Sequence, residues 1–176
     1  MRTLIILRHA KSSWATPGMD DFERPLNERG NADAILMAQW ISEKAPPIDA
    51  ILCSSAARTR ATAKHITTFI NTEEPISYLD ELYLAGTDTL KAHIAKLDST
   101  TKTAMLIGHN PGLHDAALRL LTKDHRDQAG SLRMAFPTTA CALIKLPIDD
   151  WKEIAWNNGE LSSFMVPKSL KTTQKS

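Results

Sequence analysis

Leu4-Ile5-Ile6-Leu7 leaves no polar face for solvent. A strand that is apolar at every position is buried on both sides, as in a parallel sheet covered by helices. This one runs straight into Arg8 and His9, a permanent cation and an imidazole, which are costly to bury without partners. It therefore reads as a rigid mount whose end carries chemistry.

The rest of the chain repeats the alternation. A helix is predicted over residues 28–43, with Ile35, Leu36, Trp40 and Ile41 close to one face, stopped by Pro46-Pro47. Residues 48–54 read as a second strand, 57–70 as a helix and 76–79 as a short strand. A third helix over 88–97, a fully apolar strand over 103–109 and a helix over 113–121 come next. From about Thr138 the rhythm changes: 138–147, 151–156 and 161–166 read as antiparallel strands, with Asn157-Asn158-Gly159 as a turn between the last two. The expected fold is a three-layer α/β/α arrangement around a mainly parallel sheet with an antiparallel extension. No repeat, linker or low-complexity block divides the 176 residues. One domain is expected over 1–167, followed by a polar tail, 168–176, that frays.

Hydrophobic content is 43%, charged content 23% and the formal net charge +1. That balance supports neither nucleic-acid binding nor attraction to an acidic membrane, so any anion recognised here needs a local site. No apolar run is long enough to span a bilayer, and the first residues do not read as a signal peptide. Cys53 and Cys141 lie in strand-like runs and read as buried reduced thiols, with a disulfide or metal pair as the weaker alternative. A cytoplasmic protein is expected.

In parallel sheets of this kind, ligands collect beyond the carboxyl ends of the strands. There this chain places Arg8-His9, then Arg58 and Arg60, then Asp80 and Glu81, then His109. Two imidazoles among arginines suit a phosphoryl group. Guanidinium forks match phosphate oxygens, and a neutral histidine can take the phosphoryl group onto a ring nitrogen. The second imidazole, if protonated, joins the arginines on the transition-state oxygens, and N–H groups at the helix starts can add to them. Each residue also has a plainer reading. Arg8-His9 can end a strand in solvent, Arg58 can be a surface cation, His109 a turn residue and Glu81 a capping carboxylate. Arg60 is expected to face solvent, and His65, His93, His114 and His125 to be structural. Other chemistries lack their motifs: there is no GxxxxGK[ST], GxGxxG, HExxH or paired CxxC pattern. Only four residues separate Cys53 from Arg58, one too few for a cysteine-phosphatase loop.

LRHAKSSW, SSAARTRATA and LIGHNPGL together resemble the histidine phosphatase superfamily, the phosphoglycerate mutase-like fold. The resemblance implies that His9 is the phosphorylated nucleophile and that Arg8, Arg58 and His109 form the phosphate pocket. It implies no metal and no cofactor. Ala10 stands where many relatives have glycine. Relatives acting on sugar phosphates carry a helical insertion before the third strand; here only five residues, Asn71 to Pro75, fill that place, so no cap is expected. The compact chain and the segment DFERPLNERG resemble the SixA-type phosphohistidine phosphatases. Glu81 stands roughly where capped relatives keep an acid for the leaving group.

The expected function is thus a metal-independent phosphatase acting through a phosphohistidine intermediate, on a phosphohistidine-containing protein. The alternatives are a phosphomonoesterase for a small phosphorylated metabolite and a non-catalytic phosphoprotein-binding module.

Overall fold

The computed structural model describes residues 1–14, 16–70, 72 and 75–173. Six strands form one sheet: β1 (Arg2–Arg8), β2 (Ala50–Ser54), β3 (Ser77–Leu79), β4 (Thr103–Gly108), β5 (Cys141–Leu146) and β6 (Glu160–Met165). Their order is β3-β2-β4-β1-β5-β6. The first four run parallel, and β5 and β6 add the antiparallel extension. The helices are α1 (Glu28–Lys44), α2 (Ala57–Thr67), α3 (Thr87–Ile94), α4 (Gly112–Leu120), α5 (Lys123–Asp127), α6 (Ser131–Met134) and α7 (Pro167–Thr173).

β1 divides the core. Leu4 and Ile6 face a cluster containing Leu90 of α3, Leu113 and Leu120 of α4, Phe136 and Trp151. Ile5 and Leu7 face Met37 and Ile41 of α1 and Ala63 and Ile66 of α2, with Leu170 of α7 packed alongside. All four β1 side chains are fully buried, which explains why this strand tolerates no polar face. The result is the three-layer arrangement expected, and among the described residues no helix lies between α2 and β3. Among the described residues no helix is long and apolar enough to cross a membrane. Cys53 and Cys141 are both free and buried.

Three expectations need correction. On α1, Ile35 is exposed, and the buried stripe is Gly30, Asp33, Ala34, Met37, Ala38, Trp40 and Ile41. Three of the seven buried positions are glycine or alanine, so bulk was a poor guide to the inward face. Residues 151–156 are not a strand. Asp150 and Glu153 form a reciprocal capping box that winds Trp151–Glu153 into a 3-10 turn, and buried Trp151 donates its indole N–H to Thr101 O at 2.9 Å. Asn157-Asn158-Gly159 closes the end of α4 instead of a hairpin, donating backbone N–H groups to Arg119 O and Leu120 O.

Of the tail expected to fray, 168–176, residues 168–173 lie in α7; residues 174–176 lie outside the described residues. Lys171 of α7 reaches Asp33 of α1, whose side chain is 1% exposed, and Arg29 approaches the same carboxylate at 3.4 Å. Removing a cation from a buried carboxylate leaves it poorly compensated. Lys171→Met is expected to lower stability by about 1 to 3 kcal/mol in denaturant titration. Asp33→Asn with Lys171→Met should recover part of that loss; no recovery would mean the charge pairing is not what holds α7.

Candidate active site

The site is set by how β1 and β4 pair. Their parallel register places Arg8 opposite Gly108, so His9 and His109 leave the sheet side by side, with ring centroids 5.2 Å apart. β1 continues into α1 on one face of the sheet, and β4 into α4 on the other. The crevice between two such strands is where ligands bind in open α/β sheets.

A cleft of about 370 Å³ occupies that crevice. Arg8, Lys11, Arg24 and Arg58 line it, and among the described residues Asp21 is the single carboxylate that does. A larger cavity of about 650 Å³ between α1 and α7 gathers Arg29, Asp33, Lys168 and Lys171 but no histidine. Convergence of chemistry, not volume, marks the site. Among the described residues no group of His, Cys, Asp and Glu side chains could hold a metal ion.

His9 is 6% exposed. Its Nδ1 lies 2.8 Å from the carbonyl oxygen of Ala10. A carbonyl can only accept, so Nδ1 carries the proton and Nε2 keeps its lone pair. The Ala10 N–H donates to Thr62 Oγ1 at 2.9 Å, tying this turn to α2. Burial, then the charges of Arg58, Arg8 and Arg24, push the His9 pKa down to about 4 against the upward pull of the Ala10 bond. The ring is therefore neutral at pH 7.

His109 is 3% exposed. Its Nε2 lies 2.8 Å from Ser54 Oγ at the end of β2, and Tyr83 meets its ring edge-on at 5.3 Å. Nδ1 is buried and has no hydrogen-bond partner among the described residues. Burial, then His9 and Arg58, lower the pKa to about 3. This ring also rests neutral at pH 7.

Arg58, in the first turn of α2, is 2% exposed. It donates to the backbone carbonyl of Asp21 at 2.5 Å and to the Asp21 carboxylate at 3.0 Å. The other carboxylate oxygen takes Arg24 Nε at 2.9 Å. The Tyr83 hydroxyl donates to the Asp21 oxygen that Arg58 also binds. These donors, the Tyr83 hydroxyl foremost, hold the Asp21 pKa at about 2. Arg8 donates to Phe136 O at 3.0 Å, and Asn110 Nδ2 donates to the same carbonyl at 2.8 Å.

Thus Arg8, His9, Arg58 and His109 are brought together. Glu81 is not with them: it is exposed on the 3-10 turn Asp80–Leu82 and does not line the cleft. Asp80 beside it accepts a hydrogen bond from the Ser55 hydroxyl. That turn does deliver a residue to the site, Tyr83. Arg60 is exposed over the Tyr78 ring, at 5.1 Å. His65 pairs with Asn31 and His114 with Leu132 O, both structurally.

Sequence reasoning missed Asp21, Arg24, Ser54, Tyr83 and Asn110. Ser54 ends β2 as Arg8 ends β1, so the search of strand ends would have found it had hydroxyls been counted with charges. Asp21 and Arg24 lie in DFERPLNERG, where an i, i+3 acid–base pair is a visible signal. Two glycines position the flanking loops. A Cβ at Gly30 would overlap the Lys11 carbonyl oxygen, and one at Gly112 the Ala85 carbonyl oxygen.

A model of the histidine phosphatase superfamily (branch 1) matches residues 4–83. The chain is 32% identical to a protein of Agrobacterium tumefaciens described as a "putative phosphohistidine phosphatase SixA". That crystal structure superposes with a TM-score of 0.80, covering 94% of this chain and 98% of the other. A protein similarly described, from Nakamurella multipartitia, is 29% identical with a TM-score of 0.81, covering 94% and 96%. An uncharacterized protein of Mycobacterium leprae (strain TN) is 31% identical over 166 residues, covering 92% of this chain and all of that protein.

The two imidazoles make a pH prediction. Their folded pKa values, about 4 and about 3, lie below the ordinary histidine value of 6.5. On acidification the unfolded chain binds those protons first, so stability rises with pH across that window. It is complete above about pH 6.5 and is lost as pH falls toward 4 for His9 and toward 3 for His109. Asp21 adds a loss in a lower window, from 3.8 toward about 2. Denaturant midpoints measured from pH 8 to pH 4 should fall below pH 6.5 and fall less in the double variant His9→Asn, His109→Asn. An equally steep curve in that variant would remove the imidazoles as the cause.

Proposed function

We propose that this chain, which belongs to the histidine phosphatase superfamily, removes phosphoryl groups from phosphohistidine on a protein partner. The chain is a phosphatase; the proposal concerns its substrate and the residues that act.

The observation that carries the reading is the state of the one carboxylate lining the cleft among the described residues. Asp21, with a pKa of about 2, is an anion at neutral pH and has no proton to give a leaving group. An alkoxide leaves poorly without such a proton. The imidazole of phosphohistidine leaves as a neutral ring once its other nitrogen is protonated, and needs no acid from the enzyme. The cleft, over which no helical cap lies among the described residues, suits a phosphoryl group presented on a protein surface.

In this mechanism His9 Nε2 attacks phosphorus in line. The Nε2–P bond forms as the substrate N–P bond breaks, and the departing imidazole nitrogen keeps the electron pair. Nδ1–H, bonded to Ala10 O, steadies the positive charge that develops on the His9 ring. Arg8 and Arg58 hold the equatorial oxygens, and His109, which lines the cleft beside His9, donates to a third. Such donors are worth about 3 to 4 kcal/mol each in a preorganised oxyanion site. Water then attacks the same phosphorus, the P–Nε2 bond breaks, Nε2 recovers its lone pair, and dihydrogen phosphate departs. No step calls on a metal ion.

The test is kcat/KM for a histidine-phosphorylated phosphotransfer domain beside a panel of sugar and nucleotide monoesters, with chelator present. A preference of about a hundredfold for the phosphoprotein is expected, equivalent to about 2.7 kcal/mol. Faster turnover of one monoester would replace the substrate class. His9→Ala should abolish phosphoenzyme labelling, while Glu81→Gln should leave phosphohistidine hydrolysis within about twofold. A large loss in Glu81→Gln would restore that carboxylate as an acid.

A further inference from the structure

We propose that Trp14, stacked on Arg24 at the mouth of the cleft, is the platform that receives the imidazole ring of the substrate. This inference rests on the phosphohistidine reading above and assigns a specificity role to a residue outside the phosphate pocket.

Trp14 is 74% exposed, an unfavourable place for an indole that serves only packing. Its position is nevertheless fixed. The Arg24 guanidinium lies over the ring, 3.5 Å from its centroid. Arg24 is itself 8% exposed and held by Asp21 and by Ser12 Oγ at 2.9 Å. The backbone leading to Trp14 is tied down as well: Ser12 bridges to Leu26, and the Ser13 N–H donates to Pro25 O at 2.8 Å. One face of the indole is therefore covered by a guanidinium that Asp21 and Ser12 hold in place.

The direction of the reaction supplies the rest. His9 is buried, so its attack on phosphorus comes from inside the cleft. An in-line displacement then sends the leaving group the opposite way, toward the mouth. The strongly exposed apolar side chains lining that cleft are Trp14 and Leu84, the latter 53% exposed. A flat aromatic leaving group can stack on the indole; an alkyl or ring-free leaving group cannot. The platform thus favours phosphohistidine over phosphoryl donors without an aromatic ring, and does so without touching phosphorus.

The experiment compares two P–N substrates, a phosphohistidine peptide and ring-free phosphoramidate, on the full chain and its Trp14→Ala, Trp14→Leu and Trp14→Phe variants. Trp14→Ala and Trp14→Leu should lower kcat/KM for the peptide about tenfold, and Trp14→Phe should keep most of it. Phosphoramidate should be hydrolysed within about twofold of the native rate by all three. If native protein turns over the peptide and Trp14→Ala does so equally well, the platform is overturned and the phosphohistidine reading stands. Equal losses on both substrates would also overturn it, because Trp14 would then act only by holding Arg24. A native rate from Trp14→Leu would show that no ring is needed, and the platform would fall again. Native protein that hydrolyses phosphoramidate but not the peptide would overturn the phosphohistidine reading and the platform together.

Discussion

The parallel register between β1 and β4 is the constraint on which the site depends. Because Arg8 lies opposite Gly108, the next residue of each strand is a histidine at the same height. A slip of one residue would send every β1 side chain to the other face. The core forbids that slip: Leu4 and Ile6 fit the side lined by α3 and α4, and Ile5 and Leu7 the side lined by α1 and α2. The apolar run, so unlike Arg8-His9 in character, is therefore what fixes where those two residues emerge.

A second constraint is electrostatic. Arg58 and Arg24 crowd one side of the cleft, and Asp21 stands between them, taking hydrogen bonds from both and from Tyr83. The carboxylate offsets repulsion that would otherwise splay the guanidiniums, while among the described residues the lining keeps an excess of cations over its one anion. Neutral imidazoles fit the same logic. In a buried cluster of guanidiniums, histidine stays uncharged and so retains a lone pair.

Much of this was legible in the chain. Uninterrupted apolar runs pointed to the parallel strands, and the residues at their carboxyl ends brought Arg8, His9, Arg58 and His109 to one rim. Side chains whose role depends on a distant partner escaped that reading. Asp21 and Tyr83 are 62 positions apart and meet only once the loops are folded. Glu81 and Tyr83 are close neighbours at one turn, and nothing local says which of them reaches His109 and Asp21. Ile35 misled because bulk was weighed above the glycine and alanines on the buried face of α1, and residues 151–156 because a capping box overrode an apolar alternation.

The surplus of positive charge in the cleft also bears on how the reaction ends. Under the proposed chemistry, the groups that grip a transferring phosphoryl group are equally matched to the inorganic phosphate that is released. Because they address only the oxygens around phosphorus, they have no means of telling product from reactant. Substrate identity must be read outside them, and free phosphate competes for the resting site whenever it accumulates. The catalyst is then slowed by its own product, and the ambient phosphate level becomes part of its working environment, as progress curves with and without added phosphate would register.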